Sequence, residues 1–171
     1  PPKKSVTSTQ KSTQLDGARA IMLVGADEVL AAAPVTETGK VILVSPIGGS
    51  DKIDGAGKYV FRNREPARLT AYALAELLAK SKYKKVVLFV ASSSSSPSSY
   101  EQAFTEKFSS LGGNIALSFH YDEGQPDVRA GIAQAKDANI TAAYVIASKD
   151  KDGAGVVRQL KEFGFDGLII G

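Results

Sequence analysis

The chain has 171 residues, a formal net charge of +3 and 43% hydrophobic residues, which is enough to bury an ordinary core and excludes a disordered chain. It contains no cysteine, so disulfide frameworks, thiol catalysis and cysteine-ligated metals are excluded. Lysines mix with acidic residues along the chain, as on a solvated surface, so we expect no nucleic-acid partner. No apolar run is long enough to cross a membrane, so we expect no direct membrane insertion.

The first forty residues predict two helices around one strand. Residues 3–15 are polar, and start and stop signals on either side make them a weak helix candidate. The continuous apolar run at residues 20–24 predicts a strand buried on both faces. Asp27 is the expected N-cap of a short helix that ends at Pro34 or Gly39.

A second strand is predicted at residues 41–45, and a short β segment at residues 59–62. Small residues follow both of the first two strands, namely Gly25 and the loop at residues 46–50. The carboxyl ends of parallel strands meet at one edge of a sheet, and ligands bind at that edge in open α/β sheets. We therefore expect these loops to be functional.

The rest of the chain alternates helical and strand patterns. Helices are predicted within residues 66–82, 103–111, 130–137 and 150–163, and strands at residues 86–90, 115–121, 141–147 and 166–171. Strands with no polar alternation, separated by helices, require parallel crossovers. The alternating pattern at residues 115–121 indicates a strand near an edge. The predicted fold is α/β, a Rossmann-like or flavodoxin-like three-layer sandwich with a mainly parallel sheet.

The serine run at residues 92–96 lies between a predicted strand and a helix. Hydroxyls and backbone N–H groups at that position could hold a carboxylate or phosphate, and a flexible polar loop is the alternative and favoured interpretation. The run lacks the spacing of a phosphate-binding loop.

Other polar residues favour structural roles. His120 is the only histidine, and the sequence offers it neither a nucleophile motif nor a second metal ligand. We therefore expect His120 to be a surface histidine, and we expect neither an enzyme nor a metal site. Lysines at residues 80–85 follow a helix, where they complement the dipole. Capping of the last helix is the expected role of Asp150 or Asp152.

Three segments carry a family resemblance: residues 31–46 (AAAPVTETGKVILVSP), residues 59–62 (YVFR) and residues 157–171 (VRQLKEFGFDGLIIG). The chain resembles the branched-chain amino acid (Leu/Ile/Val) type of periplasmic binding protein, the type I substrate-binding proteins of ABC transporters. The resemblance implies two Rossmann-like lobes joined by three crossovers, which close over a small-molecule solute without enzymatic chemistry or a cofactor. It also implies an ABC permease in the membrane as partner, and a periplasmic protein or extracytoplasmic lipoprotein.

On that resemblance, residues 1–53 are the end part of the first lobe, residues 54–65 a crossover and residues 66–171 most of the second lobe. The chain is therefore expected to be a middle piece of a longer protein. The implied ligand-binding residues lie in four loops that follow strands. They are Ala26, Asp27, Ile47, Gly49, Ser50, Ser93, Ser95, Ser148 and Lys149.

These loops depart from the family pattern. Where the family offers Gly-Pro-x-Ser-Ser to hold a ligand carboxylate, this chain has Asp27, which would repel one. Serines stand where an Asp and a Tyr are usual, and Ala147 to Asp150 replace a Gly-Gly-Tyr type loop. Three explanations stay open: a different ligand, such as a neutral or cationic amide, a polyol or an aromatic compound; a fold retained as a protein-interaction or regulatory module; or loops altered deliberately.

Overall fold

The computed structural model describes residues 2–92 and 94–171. These residues form two compact units, which meet between residues 67 and 68 of the chain. Every strand pairing among them is parallel, which confirms the predicted α/β fold class. In the described part of the chain each unit has its own sheet, with three strands in the first unit and four in the second.

The first unit contains two helices, three short strands and one turn of 3-10 helix. In chain order these are α1 (Pro2–Gln14), β1 (Ala20–Met22), α2 (Ala26–Gly39), β2 (Ile42–Ser45), the 3-10 turn (Asp51–Ile53) and β3 (Val60–Arg62). The polar segment at the start is thus a helix, as predicted. It packs against α2, and this contact supplies the stability that its composition lacks.

One prediction about α2 is wrong, since its N-cap is Gly25 and not Asp27, which lies in the first turn. Of the two predicted ends, Gly39 is the correct one, because the helix continues past Pro34 to Gly39. Because Pro34 is exposed, water can satisfy the carbonyl that lost its N–H partner.

The sheet of the first unit is covered on one face only. Val29, Ala32 and Ala33 of α2 pack with Leu43 of β2 on that face. On the other face Met22, Ile42 and Phe61 are 66%, 42% and 52% exposed. The prediction that residues 20–24 are buried on both faces is therefore wrong, since an apolar run cannot specify how many layers cover it.

The second unit begins close to the start of α3 and alternates helices with strands. The elements are α3 (Ala67–Ala79), β4 (Lys85–Ala91), α4 (Ser95–Ser110), β5 (Asn114–Tyr121), α5 (Arg129–Asp137), β6 (Ala142–Ile146), α6 (Asp150–Glu162) and β7 (Leu168–Ile170). As predicted, β5 lies at an edge of the sheet. The serine run extends into α4, where Pro97 is tolerated because a first-turn N–H needs no helical partner.

Three layers form the second unit because β4 is apolar from Val86 to Ala91. Val87 and Phe89 face a core made with α5 and α6, which includes Ile132 and Leu160. Val86, Leu88 and Val90 face a second core made with α3 and α4, in which Phe104 stacks on Phe108. The alternate side chains of one strand thus supply both cores. The carboxyl ends of β4, β5 and β6 then lie side by side.

Candidate functional site

At the carboxyl edge of the first unit, β1 leads directly into α2 through Gly25. Gly25 has φ 101°, a conformation that favours glycine. A Cβ atom there would collide with the Glu28 carboxylate, so that side chain folds back over the start of the helix. Asp27 and Glu28 both lie in the first turn, where carboxylates stabilise the positive end of the helix dipole.

The loop after β2 is held by its own serines. Ser45 Oγ accepts the Gly48 N–H at 3.1 Å, and Ser50 Oγ accepts the Lys52 N–H at 3.4 Å to cap the 3-10 turn. Arg62 Nη1 donates to the Ser50 carbonyl oxygen at 3.0 Å. This internal bonding gives the loop a defined shape.

The predicted ligand residues of the first unit differ in what they offer to solvent. Ala26, Gly49 and Ser50 are buried, Asp27 is partly exposed, and Ile47 is 53% exposed. The backbones of the two loops approach each other, because a Cβ placed on Gly48 would lie 3.6 Å from the Cα of Ala26. Of the predicted residues, Asp27 and Ile47 are therefore the ones whose side chains this edge presents.

At the carboxyl edge of the second unit, a chain of hydrogen bonds joins three loops. Ser94 Oγ and Ser148 Oγ are 2.8 Å apart, and Ser148 Oγ also donates to Glu123 Oε1. Lys149 Nζ lies 3.1 Å from Glu123 Oε2. Glu123 follows β5, and its side chain, 14% exposed, is the hub of this cluster.

The structure therefore brings together Ser148 and Lys149 of the predicted site. Ser95 is partly buried in the first turn of α4, and Ser93 lies outside the described residues. The N-cap Ser94 makes no side-chain capping bond, because its hydroxyl is directed to Ser148.

A second set of bonds fixes the loop that carries Glu123. Ser92 Oγ donates to the Tyr121 carbonyl oxygen at 2.9 Å and lies 3.2 Å from Asp122 Oδ1. Asp152, which is 2% exposed, accepts the Gly124 N–H at 2.9 Å. Asp152 thus ties this loop to α6 and does not cap the helix, whose N-cap is Lys149.

Tyr121 lies beneath the same loop. Its side chain is buried, and its hydroxyl has no hydrogen-bond partner among residues 2–92 and 94–171. Burial first, and then the charges of Asp152 and Glu123, raise the pKa of Tyr121 to about 12. The phenol is therefore neutral at physiological pH and remains a hydrogen-bond donor.

The sequence did not single out Glu123, and it indicated only a capping role for the buried Asp152. The available signal was position, since Asp122, Glu123 and Gly124 directly follow β5 at the carboxyl edge. The contact between this loop and the loop at Ser148 depends on strand order, because β4 lies between β5 and β6 in the sheet. Strand order is a tertiary property that local patterns do not carry.

His120 and the lysines have the structural roles that were predicted. His120 is exposed on β5 and lies 2.9 Å from Glu101 of α4. Lys84 Nζ donates to the Ala79 carbonyl oxygen and Lys85 Nζ to that of Ala138, at the ends of α3 and α5. Across the described part of the chain, no group of three or more His, Asp or Glu side chains could hold a metal ion.

A cavity of about 580 Å³ lies at the opposite, amino edge of the second sheet, with Lys82, Tyr83, Lys136 and Asp166 in its lining. Its volume is typical of ligand pockets. However, Lys136 Nζ donates to the Phe163 carbonyl oxygen at 2.9 Å, so this ammonium group already serves the end of α6. The polar cluster of Ser94, Glu123, Ser148 and Lys149 lies instead at the carboxyl edge.

Comparison with known proteins defines the class. The family described as "Periplasmic binding protein" matches residues 1–170, and the chain belongs to this family. This confirms the resemblance found in the sequence. A search of the curated proteins found no match.

Solved structures share the fold. A leucine-binding protein, LivK, from Thermotoga maritima has a TM-score of 0.91 at 24% identity, covering 99% of this chain and 48% of that one. LivJ from Streptococcus pneumoniae in complex with isoleucine has a TM-score of 0.87 at 19% identity, covering 99% and 48%. A solute-binding protein of an ABC transporter from Rhodopseudomonas palustris, in complex with 3,4-dihydroxybenzoic acid, has a TM-score of 0.86 at 22% identity, covering 95% and 44%.

The chain thus spans about half the length of these structures. Within the residues that the structure describes, no helix is both long enough and apolar enough to span a membrane.

Proposed function

We propose that the protein containing this chain is the non-enzymatic solute-binding component of an ABC transporter and that it captures a small polar molecule. The observation that carries the proposal is the polar cluster of Ser94, Glu123, Ser148 and Lys149, where loops from three strands meet at one sheet edge. Loop clusters at the carboxyl edge are where open α/β sheets bind ligands. Family membership and the solute-bound structures of the same fold support this function.

The partner and the location follow from the same family. A membrane-bound ABC permease is the proposed partner, and the protein acts outside the cytoplasm as a periplasmic protein or a lipoprotein. The proposed map assigns residues 1–53 to the end of the first lobe, residues 54–65 to a crossover and residues 66–171 to most of the second lobe.

A thermal-shift screen of the full-length protein tests the proposal. The panel contains amino acids, amides, polyols and aromatic acids, and the 171-residue chain is run in parallel. A ligand at 100 times its Kd adds about 2.7 kcal/mol to the free energy of unfolding. We expect at least one class to stabilise the full-length protein, and the absence of a shift with any compound would contradict the proposal.

A second candidate function is a protein-interaction or regulatory module that reuses this fold. The observation in its favour is the exposed apolar face of the first sheet, formed by Met22, Ile42 and Phe61. Exposed apolar patches mark interaction surfaces. This alternative predicts no stabilisation by any solute of the panel, so the same screen separates the two functions.

A further inference from the structure

The hydroxyl hydrogens at the carboxyl edge of the second unit can be assigned one by one. A serine hydroxyl has one hydrogen and two lone pairs, and an ionised carboxylate can only accept. Ser148 must therefore donate its hydrogen to Glu123 Oε1. Since that hydrogen is used, Ser94 must be the donor in the 2.8 Å contact between Ser94 Oγ and Ser148 Oγ.

Ser92 is committed in the same way. Its hydroxyl donates to the Tyr121 carbonyl oxygen at 2.9 Å, with Asp122 Oδ1 as a second acceptor at 3.2 Å. All three of these serines thus direct their hydrogens into the protein. What these three hydroxyls offer to a solute is oxygen lone pairs, so together they form an acceptor surface.

The charges at this edge also favour a solute that carries hydrogen-bond donors. Lys149 is the cation of the cluster, and its ammonium group is paired with Glu123 at 3.1 Å. A solute carboxylate placed here would meet the Glu123 carboxylate and serine lone pairs, all of which repel it. An ammonium, amide N–H or hydroxyl group would instead find acceptors, and charge-assisted hydrogen bonds are the strong ones.

The carboxyl edge of the first unit, considered by itself, also disfavours a solute carboxylate. The start of α2, where a helix dipole would attract an anion, already carries Asp27 and Glu28, and Glu28 folds back over Gly25. A solute carboxylate at this position would meet two like charges.

We propose that the solute is recognised through hydrogen-bond donors, as an amide, amine or polyhydroxyl compound, and that carboxylates are rejected. This inference rests on the proposed function, because it names the ligand class of that site. It also separates this chain from structures of the same fold that bind isoleucine or 3,4-dihydroxybenzoic acid, both of which carry a carboxyl group.

Matched probes test the inference by isothermal titration of the full-length protein. The pairs are leucinamide with leucine and 4-hydroxybenzamide with 4-hydroxybenzoate, which differ only at the carboxyl group, and erythritol is the polyol probe. We expect at least one amide or the polyol to bind, and any amide that binds to do so at least about tenfold more tightly than its acid. Tighter binding of an acid than of its matched amide would overturn the inference and leave the proposed function standing. No binding by any of these probes, when another compound of the thermal-shift panel does stabilise the protein, would overturn the inference alone. The proposed function is overturned only when no compound of that panel stabilises the full-length protein.

Glu123→Gln provides a sharper test, because the expected result includes a gain. The substitution removes the charge that pairs with Lys149 and leaves a free ammonium group, so affinity for 4-hydroxybenzoate should rise by about tenfold while preference for the amide falls. A merely structural role of Glu123 cannot produce tighter binding. Glu162→Gln removes an exposed carboxylate at the far end of α6 and is the control, with unchanged affinities expected.

Ser148→Ala is the second variant and keeps the inference testable if Glu123→Gln does not fold. It releases the Ser94 hydrogen for donation to a solute, so acid binding should again strengthen, by a few fold. Unchanged selectivity in a folded variant would overturn the inference.

Discussion

The two sheets of this chain differ in how many faces they bury. In the second unit, β4 buries side chains on both faces, and Val86 and Val87 are each fully inaccessible. In the first unit, the equally apolar segment at residues 20–24 leaves Met22 and Val24 more than 60% exposed. Similar sequences thus occupy different environments, and the number of layers depends on which helices pack against the sheet.

The largest expected effect tests this difference directly. Phe89 is fully buried, and the centroid of its ring lies 6.1 Å from that of Phe119. Phe89→Ala should therefore lower the free energy of unfolding of the protein by about 3–5 kcal/mol. Phe61→Ala, on the exposed face, should cost less than about 1 kcal/mol. Urea unfolding followed by circular dichroism measures both, and equal losses would contradict the contrast between the sheets.

Backbone packing in the second unit gives the next effect. A Cβ atom at Gly167 would collide with the Thr141 carbonyl group, so Gly167→Ala should destabilise by about 1–3 kcal/mol. Gly153→Ala is the control, because its Cβ would meet only Ala147, at 3.3 Å, and alanine favours the helix. Thermal unfolding of both variants measures the difference. An unchanged stability of Gly167→Ala would contradict the predicted collision and would show that the strand can shift.

Tyr121 predicts a pH effect in the second unit. Its pKa is raised from 10.0 to about 12, so the stability that its neutral form provides is present below pH 10 and is lost as the pH rises toward about 12. Tyr121→Phe should remove this part of the alkaline loss. The hydroxyl has no hydrogen-bond partner among the described residues. The free energy of unfolding of the variant at pH 7 should therefore equal that of the parent or exceed it by up to about 1 kcal/mol.

Stability curves of parent and variant between pH 7 and about 12 make the comparison. Parallel curves would contradict the account of Tyr121, as would a large loss in the variant at neutral pH.

The smallest effect is expected at the surface. The Arg129 guanidinium lowers the pKa of the Asp127 carboxyl from 3.8 to about 2. The contribution of the pair is present above the ordinary pKa of Asp127 and is lost as the pH falls toward about 2. Arg129→Gln should return the pKa toward 3.8, as measured by NMR titration of the carboxyl group, and an unchanged value would exclude the pair as the cause.

The fold was largely predictable from sequence because periodicity and family resemblance agree. The βα alternation after residue 66 predicted each strand of the second sheet, and the alternating pattern of β5 indicated its edge position. The error about the first strand arose where tertiary contacts decide the outcome, since nothing covers the outer face at Met22 among the described residues.

The candidate site was less predictable than the fold. The resemblance identified Ser148 and Lys149, but their common partner Glu123 lies 25 residues away from Ser148 in the sequence, on the other side of β4 in the sheet. The direction of the serine hydrogens depends on that carboxylate as well. For this reason the serine run alone left both an anion site and a polar loop open, whereas the assembled edge indicates an acceptor surface.

The most direct test of the central claim is an NMR titration of the isotope-labelled full-length protein with the solute found in the screen. We predict that the largest backbone amide shifts within residues 68–171 occur at the loops that follow β4, β5 and β6, at residues 92, 94, 122–124 and 147–149. Shifts concentrated instead around Lys82, Lys136 and Asp166, which line the cavity at the amino edge, would contradict the assignment of the carboxyl edge as the solute site.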